Sequence, residues 1–88
     1  MAAFVLVPAA ASDVEGIASF LDIHEPRATE PVLRALRDAM DRIAAHTGLG
    51  RLRQDLSDEP LRFYAVWSCL LIYRVAERVE IVRVLAAD

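Results

Sequence analysis

The sequence contains no lysine. All ten of its basic residues are arginines, set against thirteen acidic residues and a formal net charge of −3. A net negative charge argues against binding nucleic acid through bulk electrostatics. Cys69 is the single thiol, which excludes an intramolecular disulfide and a multi-thiolate zinc site and indicates a reducing compartment. Three glycines and four prolines leave no room for a flexible linker, so we expect residues 1–88 to form one domain.

Long hydrophobic runs are also missing. The longest, Phe63 to Tyr73 interrupted by Ser68, has 11 residues, well short of the ~20 that a membrane-spanning helix needs. The apolar start carries no basic residue and runs into Asp13, so we do not interpret it as a secretory signal. The overall composition is nevertheless apolar, at 56% hydrophobic residues and a mean hydropathy of +0.31. So short a chain buries only about 60% of its unfolded surface, so we expect leftover apolar surface and a partner.

The first half of the sequence predicts a strand and two helices. Residues 4–7 form a short segment that contains β-branched residues and ends before Pro8, which is typical of a strand. Ser12 and Glu15 have the spacing of a capping box that opens a helix, and Pro26 ends that helix. A second helix is predicted from Thr29, which caps it, to the glycines at 48 and 50. The predicted buried stripes are Val14, Ile17, Ala18 and Leu21 in the first helix, and Leu33, Leu36, Met40 and Ile43 in the second.

The second half predicts three strands. Side chains alternate in strand spacing from Leu61 to Ser68. Residues 69–75 are almost continuously apolar, as in a buried strand, and residues 79–85 are rich in β-branched residues. The layout β-α-α-β-β-β predicts an α+β fold of two layers, a helical hairpin packed on one face of a mainly antiparallel sheet. Both faces of the sheet carry large apolar side chains such as Trp67, Tyr73 and Val82, yet no helix follows to cover the second face. We therefore expect that face to be an interaction site.

The usual catalytic residues have structural explanations. Cys69 lies among apolar residues and is expected to be buried and inert, since burial raises a thiol pKa. His24 and His46 fall near predicted helix C-termini, where an imidazolium is favoured, and their spacing fits no metal site. The acids Asp55, Asp58 and Glu59 are interpreted as a solvated loop, so we expect no catalytic residue, no metal and no cofactor.

The arginines of the second half allow two interpretations. Arg51, Arg53, Arg62, Arg74 and Arg83 lie in the loop and strands, and could converge on one sheet face to bind a carboxylate, a phosphate or an acidic peptide. They could equally be scattered surface charges paired with Asp55, Glu77 and Glu80.

Four segments, taken in order, resemble the RelE/ParE toxin superfamily and its ParE branch in particular. They are Gly50-Arg51-Leu52-Arg53-Gln54-Asp55-Leu56, Leu61-Arg62-Phe63-Tyr64-Ala65-Val66, Leu71-Ile72-Tyr73-Arg74-Val75 and Val79-Glu80-Ile81-Val82-Arg83-Val84-Leu85. The opening strand and helix agree with the same family. The resemblance implies a bacterial cytoplasmic toxin of a type II toxin–antitoxin system, bound by a ParD-like antitoxin that would cover the bare sheet face. ParE toxins inhibit DNA gyrase, and operator DNA would be contacted only through the antitoxin.

The resemblance implies two further alternatives. One is a RelE-like ribosome-dependent mRNA endoribonuclease that uses the arginines of the second half. The other is a non-toxic relative that only assembles with antitoxin for autoregulation of the operon. Against the nuclease, the sequence has no lysine, and after Leu85 it offers only Ala86, Ala87 and Asp88. It thus lacks a tunable amine and a terminal imidazole or phenol for proton transfer, and arginine is a poor proton shuttle. The ParE branch commonly has a longer tail at this end.

The residues predicted to contact the antitoxin are the large aromatic and arginine side chains of the strands. They are Arg62, Tyr64, Trp67, Tyr73, Arg74 and Arg83.

Overall fold

The computed structural model describes residues 4–55 and 58–86. Leu56 of the loop segment and Ala87 and Asp88 of the short tail lie outside the described residues. In chain order, the elements are β1 (Phe4–Leu6), α1 (Pro8–His24), α2 (Pro26–Ala45), β2 (Arg51–Leu52), β3 (Arg62–Val66), β4 (Cys69–Val75) and β5 (Val79–Ala86). The predicted α+β fold of two layers is confirmed, with one short strand, β2, added.

The five strands form one mixed sheet in the order β1-β5-β4-β3-β2. β1 pairs in parallel with β5, and the other neighbours are antiparallel. Between β4 and β5 the register shifts, because Ile72 pairs with Arg83 while Tyr73 pairs with Ile81. Val82 is therefore the extra residue of a β-bulge, which locally increases strand twist.

The first helix begins earlier than the capping box at Ser12 predicts. Pro8 is its first residue and Val7 its N-cap, and the amide of Ala11 donates to the carbonyl of Val7 at 3.0 Å. Proline suits this position because its φ is already helical and its missing N–H is not needed there. Ser12 consequently lies one turn inside the helix. The predicted end is correct, since α1 stops at His24, two residues before Pro26.

The second helix also begins earlier, at Pro26, so Thr29 is not its cap. The Thr29 hydroxyl instead donates to Oδ1 of Asp22 at 2.7 Å and ties the two helices together. Pro31 lies inside α2, where it removes one backbone hydrogen bond. The helix continues through it because the packing of its apolar stripe outweighs that loss.

The core lies between the helices and one face of the sheet. From α2 it takes Leu36, Ala39, Met40 and Ile43, of which all but Ala39 belong to the predicted stripe. From the sheet it takes Val66, Cys69, Leu71, Tyr73, Val79, Ile81 and Val84. The predicted stripe of α1 is only half buried, and Ala10 is the buried residue of that helix. No helix in the described part of the chain is long and apolar enough to cross a membrane.

Candidate functional site

The sheet face that points away from the helices carries a second set of apolar side chains. Successive residues of a strand point to opposite faces, and the residues between those of the core are Phe63, Leu70, Ile72, Val82 and Leu85. Ile72 is nearly buried by its neighbours, and Leu85 is 40% exposed. No helix among the described elements packs on this surface, which we call the open face. The predicted uncovered face is therefore present in the structure.

Two of the arginines lie on the open face, because Arg51 pairs with Phe63 and Arg74 lies two residues after Ile72 in β4. Arg53 forms a pair of hydrogen bonds with Asp55, at 3.0 and 2.8 Å. The Arg74 Nε donates to Oε1 of Glu80 at 2.5 Å, and Glu59 lies 3.7 Å from its Nη1. The predicted pairings with Asp55 and Glu80 are confirmed, whereas Glu77 forms no ion pair in the described part of the chain. The carboxylates beside Arg53 and Arg74 offset the charges of these two guanidinium groups, which disfavours a phosphate site formed by them.

Arg83 has a partner that the sequence did not reveal. Its Nε and Nη2 donate to the two carboxylate oxygens of Asp13 on α1, at 2.7 and 2.9 Å. The Val84 backbone amide donates to the same carboxylate at 2.9 Å. Because β1 pairs with β5 only as far as Ile81, Asp13 takes the place of a strand neighbour for this amide. The contact fixes the start of α1 against the edge of the sheet.

Replacing Asp13 should therefore weaken the fold in a pH-dependent way. Hydrogen bonding to Arg83 lowers the pKa of Asp13 below its ordinary value of 3.8, more than partial burial raises it. A carboxyl whose pKa is lower in the folded state stabilises at pH values above its unfolded pKa, and that stabilisation disappears as the pH falls through the folded pKa. We expect Asp13→Ala to lower the free energy of unfolding by about 1–2 kcal/mol at pH 7. Urea unfolding at several pH values measures this difference.

The control for this prediction is Asp41→Ala, because the Asp41 side chain is exposed and makes no hydrogen bond or ion pair within residues 4–55 and 58–86. Its loss should change stability little. A difference between the wild type and Asp13→Ala that stayed constant from pH 7 down to about pH 2 would contradict the assignment.

Tyr73 lies in the core and is fully buried. Its hydroxyl donates to the Thr47 carbonyl at 2.8 Å and accepts the Gly50 amide at 2.7 Å. Arg62 completes the arrangement, because its Nη1 donates to the Gly50 carbonyl at 2.8 Å. Together these bonds fix the loop between α2 and β2 against the centre of the sheet.

Trp67 is the most prominent exposed aromatic residue of the sheet layer. The turn between β3 and β4 consists of Trp67 and Ser68. The alternation predicted Trp67 within the strand, but β3 ends one residue earlier, at Val66. Its side chain is 69% exposed, and its φ of 53° lies in the left-handed region. A large side chain with positive φ is uncommon and strained.

The remaining candidates have structural roles. Cys69 is buried, and desolvation raises the pKa of its thiol, as predicted. His24 ends α1 and stacks on Phe20 with ring centroids 4.3 Å apart, and His46 is the C-cap residue of α2. Among the described residues, no three His, Cys, Asp or Glu side chains are grouped closely enough to hold a metal ion.

Comparison with known families decides the identity of the fold. The model of the "ParE toxin of type II toxin-antitoxin system, parDE" matches residues 4–88, almost the whole sequence. The chain belongs to the ParE toxin family. The resemblance noted in the four segments is thus confirmed, and membership of a ParDE system implies an antitoxin partner of the ParD kind.

A solved structure shows the same ParE fold. This chain is similar to a chain of the "Chromosomal ParDE TA system from P. aeruginosa", with a TM-score of 0.78 and 17% identity. The match covers 100% of this chain and 98% of the other. A comparison with functionally curated proteins finds no match.

The six residues predicted to contact the antitoxin occupy different environments in this ParE fold. Trp67 is exposed, Arg74 lies on the open face, and Arg83 faces α1. Arg62 is half buried against the loop, and Tyr64 packs on the core. Tyr73 has no exposed surface and so presents nothing to a partner in this structure.

Sequence reasoning missed two residues that organise the ParE fold here. The sequence shows Asp13 only as the acidic residue that follows the apolar start, and its partner Arg83 is 70 residues away in the chain. Gly50 had been considered only as a helix stop. Its close approach to Tyr73 requires the tertiary structure, and no local pattern could have shown it.

Proposed function

We propose that this chain is a toxin that inhibits DNA gyrase by binding it, and that a ParD-like antitoxin neutralises it by covering the open face. Family membership supports the toxin class and the kind of partner. The observation that carries neutralisation by coverage is the open face itself, an apolar surface with no element of the described chain packed on it. Such surfaces commonly mark interaction sites. We place the protein in the bacterial cytoplasm, with operator DNA contacted only through the antitoxin.

The arrangement of ionisable groups supports action by binding rather than by catalysis. A ribonuclease needs a general acid and base near the scissile phosphate. In the described part of the chain, Arg53, Arg74 and Arg83 each lie beside a carboxylate. Paired in this way, they favour structural roles over stabilisation of a phosphate. We propose no cofactor.

The gyrase proposal is tested with the purified chain in a DNA supercoiling assay. We expect inhibition that rises with toxin concentration and disappears when the antitoxin encoded in the same operon is added in equal amount. Unchanged supercoiling at large excess would contradict gyrase as the target. New cleavage sites in translated mRNA after induction would favour the ribonuclease alternative, and normal growth without antitoxin would favour the non-toxic relative.

The role of the open face is tested in the same assay with Leu85→Glu. The side chain is 40% exposed, so the variant should fold, while a carboxylate would be buried unpaired beneath the antitoxin. The matched control is Val75→Glu, because Val75 is 51% exposed and pairs with Val79 on the helix side of the sheet. We expect Leu85→Glu to need about tenfold more antitoxin for neutralisation, a loss typical of one central interface residue. Equal behaviour of the two variants would contradict coverage of the open face.

A further inference from the structure

We propose that a groove between α2 and the outer edge of β3 binds an extended segment of the antitoxin. This groove, the edge groove, has a volume of about 350 Å³. It is lined by Ala35, Asp38, Arg42, Ala65, Val66 and Trp67. The inference rests on the proposed function, since the antitoxin is the occupant, and it adds a second contact beside the open face.

The floor of the edge groove is a length of β3 that has no outer strand neighbour. β2 pairs only with Arg62 and Phe63, whereas β3 continues to Val66. Because a two-residue turn makes Val66 and Cys69 a hydrogen-bonded pair, the alternation of an antiparallel ladder directs the amide and carbonyl of Ala65 away from β4. Within residues 4–55 and 58–86 neither group has a hydrogen-bond partner. An extended peptide could continue the line of β2 and pair with both, which is a common mode of peptide recognition.

One end of the edge groove is formed by Trp67. Its exposure and positive φ have a cost in the free chain, because glycine would fit this turn without strain. Strained residues of this kind concentrate at binding sites, and tryptophan is among the side chains enriched at the residues that contribute most to binding energy. Its ring offers the contact for one apolar side chain of the bound segment.

The α2 wall of the edge groove supplies charge. Asp38 and Arg42 are both exposed, and neither side chain makes an ion pair or hydrogen bond in the described part of the chain. Although the two residues are four positions apart on α2, no ion pair joins them within residues 4–55 and 58–86. Elsewhere on α2, by contrast, Arg34 pairs with Glu30. The groove therefore fits a segment with a basic side chain opposite Asp38 and an acidic side chain opposite Arg42.

The edge groove is continuous with the open face, which favours the antitoxin over a second copy as the occupant. Ala65 and Trp67 also line a shallow apolar surface that extends to Leu70 and Leu85. A partner that covers the open face can reach the groove with one extended stretch of its chain.

The first experiment measures hydrogen exchange of the Ala65 amide by NMR, using the full chain alone and in complex with the antitoxin encoded in the same operon. We expect exchange in the complex to be slowed at least about a hundredfold, because the amide would gain a buried hydrogen bond. The Phe63 amide, already in the ladder with β2, should change much less and serves as the internal reference.

The second experiment compares the antitoxin affinities of variants. Ala65→Pro removes the free N–H, and an edge position tolerates proline because β4 does not use that amide. The double variant Asp38→Arg/Arg42→Asp keeps the composition of α2 but reverses the groove's charges, and Glu30→Arg/Arg34→Glu is the matched control outside the groove. We expect each groove variant to bind about tenfold or more weakly and the control to bind like the wild type.

Trp67→Gly separates binding from folding. Because glycine relieves the positive φ, the midpoint of thermal unfolding should stay the same or rise, while antitoxin affinity falls by about tenfold. A fall in the unfolding midpoint together with unchanged affinity would show that Trp67 serves the fold, and would overturn this part of the inference.

The outcomes distinguish the inference from the proposed function. Antitoxin binding with unchanged Ala65 exchange and unchanged affinities overturns the edge groove and leaves the proposed neutralisation intact. No antitoxin binding by the wild-type chain overturns both. Protection of Ala65 in the isolated chain that rises with its concentration identifies a second copy as the occupant, and also overturns the inference.

Discussion

Gly50→Ala is expected to lower the free energy of unfolding by about 2–3 kcal/mol, a value typical of overpacking combined with a lost buried hydrogen bond. A Cβ atom at this position would lie 2.6 Å from Cε1 and 2.7 Å from the hydroxyl of Tyr73. The Tyr73 ring is fully buried in the core and cannot move aside cheaply. Urea unfolding followed by tryptophan fluorescence measures the effect.

Gly48→Ala is the matched control, two residues earlier in the same loop. A Cβ atom there would meet nothing within 4 Å, and its φ is not positive. The control should leave stability unchanged or raise it slightly, since alanine restricts the unfolded chain. If both variants lost the same stability, flexibility of the loop rather than the contact with Tyr73 would be the reason.

Tyr73→Phe is expected to lower the free energy of unfolding by about 2 kcal/mol, because it leaves a buried donor and a carbonyl without their partner. The variant keeps the ring and removes only the hydroxyl that bonds Thr47 and Gly50. Any loss of antitoxin binding should follow this loss of stability, since Tyr73 has no exposed surface. Thermal and urea unfolding, compared with antitoxin affinity at low temperature, separate the two effects.

Tyr64→Phe provides the control for the hydroxyl. Tyr64 packs on the core, but its hydroxyl makes no hydrogen bond within residues 4–55 and 58–86, so its removal should cost little. The double variant Gly50→Ala/Tyr73→Phe supplies a further check. Because both changes break the same hydrogen bond, the double variant should lose less free energy of unfolding than the sum of the losses in the two single variants.

The sequence predicted the strands better than the helix starts. β4 matches its predicted range because seven residues that are all apolar except Arg74 are typical of a central strand. Both helices begin earlier than expected, because proline at the first helical position is as good an opening as a capping side chain. β2 was missed since two residues make no periodicity. It exists because Gly50 and Arg62 hold the loop beside β3.

The candidate site was predictable in kind but not in detail. Surplus hydrophobicity and the lack of a covering helix indicated an open sheet face, and the structure contains one. The individual residues depend on contacts between distant parts of the chain. Tyr73 was predicted to contact the antitoxin, because alternation alone does not say which face of a sheet the helices cover. The contact of Arg83 with Asp13 could not be predicted, because Asp13 lies on another element.

The parallel pairing of β1 with β5 has a consequence for synthesis. Phe4 pairs with Val79, so the first strand to leave the ribosome pairs with the last, and long-range pairing of this kind delays folding until both are present. Until β5 has been made, β1 has no strand to pair with and α1 has no completed sheet to pack on. The sheet that carries the open face is therefore completed only after β5 has left the ribosome.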